Sequence, residues 1–127
     1  MSRLLLSLLT CCVAIAATAA PLSPVARAEI DGLLVRLVAS GCEFNRNGSW
    51  YTAAEAKSHL SQKLKYFEDK GLVQSSEQFI EMAASSSSMS GKPYLVRCGN
   101  NDPVQSGQWL RSELKDLRSA SRTKSTQ

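Results

Sequence analysis

The sequence predicts an α+β fold in which about four helices pack against a small three-stranded antiparallel sheet, with one disulfide. Three observations support this expectation. Apolar residues recur at helical spacing in several segments, and Asn47-Gly48 stands between two β-type segments. The alternation of side chains within the predicted strands also agrees with a disulfide between Cys42 and Cys98. We expect a single domain over 20–117, a length that suits one hydrophobic core.

The first predicted helix begins with a clear N-terminal signal. Ser23 suits the N-cap, and Pro24 suits the first helical position, because its missing N–H would have no partner there. Gly41 suits a left-handed cap at the C-terminal end. Its apolar face repeats at helical spacing and comprises Ile30, Leu33, Leu34, Leu37 and Val38.

Asn47-Gly48 predicts a two-residue β-hairpin, because both turn positions require positive φ. This register pairs Phe44 with Tyr51 on one face of the sheet and leaves Trp50 on the other. Asn47 also begins an Asn-Gly-Ser glycosylation pattern, which we interpret only as a turn.

The third predicted strand is Tyr94–Cys98, in which Val96 shares a face with Cys98. If Cys98 bonds Cys42, this face is the one that carries Phe44. The strand alternation and the predicted disulfide therefore agree with each other.

Two helices are predicted between the hairpin and the third strand. Thr52 and Glu55 form a capping box for the first, which reaches about Asp69 and stops at Gly71. Its apolar face comprises Ala56, Leu60, Leu64 and Phe67.

A second capping box at Ser75 starts a shorter helix, and the serines at 85–88 end it by competing for backbone hydrogen bonds. Ser106 is expected to cap the last helix. The inward residues of these two helices are Phe79, Ile80 and Ala83, then Leu110, Leu114 and Leu117.

The first twenty residues have the features of a secretory signal peptide. Arg3 supplies a positive charge, an almost wholly apolar run covers 4–16, and small residues occupy the cleavage positions. We expect a signal peptide at 1–19, cleavage near Ala19/Ala20 and export to an oxidising compartment. The apolar run is too short to span a bilayer, which needs about 20 residues.

The cysteines left after cleavage, Cys42 and Cys98, most simply form a disulfide in an exported domain. The closed loop of 56 residues contributes roughly 4 kcal/mol in a chain-entropy model. A metal site of these cysteines with His59 lacks close ligand pairs and a fourth ligand, so we expect no metal and no cofactor. Cys11 and Cys12 fit a lipoprotein signal poorly, since neither follows the small residue that such a signal needs.

The charge distribution disfavours a nucleic-acid partner. The chain carries 15 basic and 11 acidic residues, and much of the excess lies in Arg27 and in a polar basic tail, 118–127. We expect this tail to be disordered. The body of the domain is nearly neutral, which is not typical of a nucleic-acid interface. No further long apolar run follows, so we expect no transmembrane segment in the mature chain.

Four blocks of sequence, in a fixed order, resemble a known bacterial family. They are Phe44-x-Arg46-Asn47-Gly48, Glu55-Ala56-x-x-His59-Leu60-x-x-Lys63-Leu64, Glu77-Gln78-Phe79-Ile80 and Ala84-Ser85-Ser86-Ser87-Ser88-x-x-Gly91-Lys92-Pro93-Tyr94. Over roughly 44–96 the chain resembles the YfeK-like family of small periplasmic proteins of unknown function. The resemblance implies a Gram-negative periplasmic location and implies no activity, ligand or catalytic residue.

Polar residues of these blocks form a candidate ligand site. His59 and Lys63 fall at the border of the apolar face of the second predicted helix, where the lysine can offer its ammonium group to an anion. The alternative is a lysine that packs its stem and extends its charge into water. The candidate ligand-binding residues are Arg46, His59, Lys63, Ser85, Ser86, Ser88 and Tyr94.

Trp50 and Leu95 form a second candidate, an interaction patch on the sheet face opposite the core. An exposed apolar patch there would mark a binding surface. The alternative is that the last helix, with Trp109, covers this face.

Three functions therefore stay open. The first is a non-enzymatic binding or interaction module for a small ligand or an envelope protein. The second is a small hydrolase that uses His59 and a serine, although the chain has no nucleophile-elbow or S-x-x-K pattern and we assign no catalytic residue. The third is a purely structural envelope protein. The ligand, the partner and the oligomeric state are left open.

Overall fold

The structure is a computed structural model that describes residues 11–15 and 21–126. The predicted signal peptide lies outside the described residues except for 11–15, and its cleavage site lies outside them. Over the described ranges, no helix has both the length and the apolar character needed to cross a bilayer.

The described residues form an α+β domain, as predicted. In chain order the elements are α1 (Pro24–Ser40), β1 (Glu43–Arg46), β2 (Ser49–Tyr51), α2 (Ala53–Asp69), α3 (Ser76–Phe79) with a π-helical turn (Ile80–Ala84), β3 (Leu95–Arg97), β4 (Val104–Gln105) and α4 (Ser106–Ser125).

The predicted helix ends are confirmed for α1 and α2. Ser23 Oγ accepts the N–H of Ala26 at 3.1 Å, and Gly41 adopts a φ of 65° at the end of α1. Thr52 and Glu55 form both hydrogen bonds of the capping box of α2. Most of the predicted apolar faces are buried, but Val38 is 40% exposed at the edge of α1.

The sheet has the strand order β2-β1-β3-β4. The hairpin register is confirmed, with Phe44 opposite Tyr51, and Phe44 also pairs with Val96 of β3. The disulfide between Cys42 and Cys98 is formed. The prediction of three strands was one short, because β4 has only two residues and runs directly into α4, too short for a visible alternation.

Ser106 does not cap α4. Gln105 occupies the N-cap position without a side-chain hydrogen bond, and Ser106 is fully buried, with its hydroxyl donating to the carbonyl of Ala84 at 2.7 Å. A buried hydroxyl requires such a partner. This residue therefore joins α4 to the π-helical turn.

The predicted disordered tail at 118–127 differs from the structure, in which α4 continues to Ser125. Arg118 belongs to the folded body, because its guanidinium pairs with Glu29 and Glu77. Tertiary ion pairs thus account for the place of Arg118 in the fold, whereas residues 119–125 continue the helix as exposed turns.

One hydrophobic core lies between the helices and the inner face of the sheet. The side chains that are at most 1% exposed include Ile30, Leu33, Leu37, Phe44, Leu60, Val73, Phe79, Ile80, Val96 and Leu110. The sheet thereby fixes β1 against α2, which places their polar border residues next to each other.

Candidate functional site

A cleft of about 420 Å³ lies between the β1–β2 hairpin, α2 and a loop of residues 85–90, which we call the serine loop. This volume is within the range of small-molecule sites. We call it the cationic cleft, and its lining comprises Arg46, Asn47, Ser49, Tyr51, His59, Lys63, Ser87, Ser88, Met89 and Tyr94.

Arg46 and His59 form the first contact in the cleft. The guanidinium Nη1 of Arg46 lies 2.6 Å from Nδ1 of His59. The same Nη1 lies 3.1 Å from Nε2 of the ring. Because a guanidinium only donates, we assign the acceptor role to Nδ1, which makes the shorter contact, and the hydrogen of the neutral imidazole to Nε2. Burial, followed by the charges of Arg46 and Lys63, lowers the pKa of His59. The charge environment and the hydrogen bond thus favour the same neutral form.

Lys63 reaches the cleft from one turn further along α2. Its ammonium donates to the carbonyl of Ser86 at 2.8 Å and to the hydroxyl of Tyr94 at 3.0 Å. Burial, and then the charge of Arg46, lowers the pKa of Lys63 to about 8. These hydrogen bonds use two of the three ammonium donors, so one donor is left for a ligand.

Tyr94 connects the two basic residues. Its hydroxyl lies 3.2 Å from Nε2 of His59, and its buried ring packs on Phe44 with centroids 5.1 Å apart. Burial raises the pKa of Tyr94, so the phenol keeps its hydrogen at neutral pH. The oxygen accepts from Lys63 and, with the hydrogen of His59 assigned to Nε2, also from His59, which leaves its own hydrogen for another acceptor.

No carboxylate of the described residues balances the charges of the cleft. Among the described residues, neither Arg46 nor Lys63 belongs to an ion pair, and no acidic residue lines the cleft. Both side chains are half-buried. Partly desolvated cations without a partner create a positive potential that attracts anions.

Asn47 holds the hairpin turn against the serine loop. Its amide donates to Ser87 Oγ at 3.3 Å and its carbonyl oxygen accepts from Ser90 Oγ at 2.6 Å. Ser87 Oγ also accepts the N–H of Ser90 at 3.3 Å. The turn residue thus closes one end of the cleft in addition to adopting its φ of 52°.

The structure brings most of the predicted ligand residues together, namely Arg46, His59, Lys63, Ser88 and Tyr94. Two serines stand apart. The hydroxyl of Ser85 donates to the carbonyl of Ile80 at 2.6 Å, and Ser86 contributes its carbonyl to Lys63 rather than its hydroxyl.

Sequence reasoning missed five lining residues: Asn47, Ser49, Tyr51, Ser87 and Met89. A signal existed for two of them. Strand alternation places Ser49 and Tyr51 on the face of Arg46, because the register pairs Arg46 with Ser49. The position of the serine loop had no such signal.

Trp50 and Leu95 both lie beside Asn45 on the outer face of the sheet, and both are half-buried. The guanidinium of Arg97 lies 3.9 Å from the ring centroid of Trp50. Trp109 packs against the core and lies beside Val96 and Cys98, on the face of the sheet that carries Phe44, so it does not cover the outer face. A charged side chain, rather than α4, therefore covers part of the predicted patch.

A further depression of about 520 Å³ lies beside the disulfide and includes Glu43 and Arg97. These two residues form an ion pair with each other. The charges of Glu43 and Arg97 in this depression thus compensate each other, unlike those of Arg46 and Lys63 in the cationic cleft.

His59 contacts Arg46 and Tyr94, and no hydrogen bond within the described part of the chain joins it to a serine hydroxyl. Nucleophilic serine chemistry requires such a base. Over the same residues, no group of three His, Cys, Asp or Glu side chains could hold a metal ion.

Comparison of the sequence with known protein families gives a match that covers most of the chain. The model of a family of unknown function, DUF5329, matches residues 24–118, which include the whole lining of the cationic cleft. The chain belongs to this family.

The uncharacterized protein YfeK of Salmonella typhimurium is similar, with 47% identity over 51 residues. The alignment covers 40% of this chain and 41% of that relative, so the chain spans less than half the length of the relative. The predicted resemblance to a YfeK-like family is thereby confirmed. No solved structure matches this chain.

Proposed function

We propose that this protein is an exported binding module of the periplasm, and that its cationic cleft holds the anionic group of a small ligand. The observation that carries the proposal is the pairing of Arg46 and Lys63 in one cleft without a carboxylate among the described residues. Two half-buried cations repel each other and lose hydration, and a bound anion offsets both costs.

The donors of the cleft support an oxyanion. Lys63 has one ammonium donor beyond those bound to Ser86 and Tyr94, and the Tyr94 hydroxyl has its own hydrogen to offer. Arg46 uses Nη1 for His59, and a guanidinium has further N–H donors in a planar fork. A carboxylate or phosphate group would accept from all three.

Export is supported by the disulfide, since such bonds persist in oxidising compartments. The signal-peptide pattern at 1–19 supports the same location. Recovery of the protein from the periplasm with its N-terminus near Ala20 would test this part. Retention of residues 1–19 in the cytoplasm would contradict it.

The decisive experiment is titration of the purified domain with acetate and with phosphate, followed by amide chemical shifts. We expect shifts around the cleft, and at least about a tenfold loss of affinity in Lys63→Met, because a charge-assisted hydrogen bond contributes roughly 1.5–3 kcal/mol.

Lys65→Met is the matched control, since Lys65 lies on the exposed side of the same helix and pairs with Asp69. Equal affinities in Lys63→Met and the natural protein would remove the cleft from consideration. A purely structural role predicts that neither anion moves the cleft resonances. Trp50→Ala should leave anion binding unchanged, because Trp50 lies outside the cleft lining.

A further inference from the structure

Two side chains that line the cationic cleft, Tyr51 and Met89, add apolar surface beside its charges, and we call this surface the apolar wall. Met89 is 98% exposed at the tip of the serine loop and lines the cleft. A methionine side chain is flexible and adapts to the shape of an apolar ligand. This wall is not needed to bind a simple anion.

Tyr51 forms the neighbouring part of this wall. It is half-buried, and the guanidinium carbon of Arg46 lies 5.0 Å from its ring centroid. A group that reaches from Arg46 toward Met89 therefore passes from a charged region to an aromatic and thioether surface within one cleft.

We propose that the ligand is an amphipathic anion, whose acidic group binds at Arg46 and Lys63 and whose apolar part lies against Tyr51 and Met89. This inference rests on the proposed function. The occupant is a single dissolved molecule rather than a bilayer surface, because both cations are half-buried inside the cleft and a membrane attracts clustered surface cations.

The test is a series of straight-chain carboxylates from acetate to octanoate, each kept below its micelle concentration. Affinity should rise about twofold to fourfold with each methylene that the cleft removes from water. In Met89→Ser this increment per methylene should fall toward onefold, and the test is the slope of the series rather than the affinity for acetate.

Met82→Ser is the matched control, because Met82 is 37% exposed and lies in the π-helical turn rather than in the cleft lining. It should preserve the full increment. A flat series in which acetate binds as tightly as octanoate would overturn this inference and leave the proposed function standing.

Absence of binding by every carboxylate and by phosphate would overturn both proposals. A second experiment measures binding of the protein to vesicles of anionic phospholipid. Vesicle binding that depends on Met89, without octanoate binding, would show that the source is a membrane and would contradict the choice of a dissolved ligand.

Discussion

The protein uses arginine in two opposite ways at two sites. Arg118 of α4 donates to Glu29 of α1 at 2.8 and 3.0 Å and to Glu77 of α3 at 2.5 Å. Ser76 also donates to Glu29, at 2.9 Å. We call these four residues the ion-pair cluster. Arg46, by contrast, contacts neutral His59 and the ring of Tyr51.

The electrostatic consequences of the two arrangements differ accordingly. The hydrogen bond from Arg118 lowers the pKa of Glu29 and that of Glu77, and the carboxylates raise the pKa of Arg118. In the cluster, the opposite charges therefore stabilise each other's ionised forms. In the cleft, burial and then the charge of Arg46 lower the pKa of Lys63 to about 8. Both effects disfavour the charged form of the lysine. The cluster joins three helices, whereas the cations of the cleft have no carboxylate partner among the described residues.

The largest effect on folding is expected from Arg118→Leu. The substitution leaves the partly buried Glu29 without its main donor and should reduce the free energy of unfolding by about 2 kcal/mol, allowing for the partial exposure of the arginine. Urea denaturation measures this. Arg122→Leu, an exposed position on α4, is the control and should have little effect.

The pH dependence of this contribution follows from its sign. Glu29 and Glu77 have folded-state pKa values below their ordinary 4.5, so the stabilisation is complete above pH 4.5 and is lost as pH falls through the lowered values. In Arg118→Leu the free energy of unfolding should therefore fall less steeply as pH drops below 4.5, a region that we call the acid limb of the stability curve. An unchanged acid limb would show that these pairs do not stabilise the fold.

A smaller effect is expected from Lys63, in alkaline solution. Its pKa is about 8 when folded and 10.5 ordinarily, so between these values the unfolded chain binds more protons and stability rises with pH. We expect a rise of about 1 kcal/mol after solvent screening, and Lys63→Met should abolish it.

Two neighbouring groups delimit the useful range of this measurement. His59 has a lowered pKa, so its effect on the free energy of unfolding no longer changes with pH above its ordinary pKa of 6.5. Tyr94 has a raised pKa, so it reduces stability only as pH passes its ordinary 10.0. Denaturation midpoints should therefore be compared between pH 8 and 10. A falling midpoint in the natural protein over this range would contradict the description of an uncompensated cation.

The smallest effect is expected from Asn47→Gly. Glycine keeps the positive φ of the turn but removes the hydrogen bonds to Ser87 and Ser90. We expect less than about 1 kcal/mol of destabilisation and a loss of about threefold in anion affinity as the serine loop loosens. Asn100→Gly, in an exposed loop away from the cleft, should leave affinity unchanged. Equal affinity in both variants would show that Asn47 serves only the turn.

The sequence by itself determined the features that depend on near neighbours. Helices begin at Ser23 and Thr52 through side-chain hydrogen bonds to nearby N–H groups, and α1 ends at Gly41 through its left-handed backbone. The Asn47-Gly48 turn likewise sets the hairpin register locally. The disulfide could also be predicted, because only two cysteines remain after the predicted cleavage and strand parity aligns them.

Only the tertiary structure decided what depends on distant partners. Ser106 was assigned a capping role that its buried contact with Ala84 replaces. Arg118 was assigned to the tail, but its ion pairs place it in the folded body. The cleft is the clearest case. Local patterns placed Arg46 and Lys63 on suitable faces, but whether a carboxylate reaches them depends on packing between segments far apart in the chain, which no local periodicity encodes.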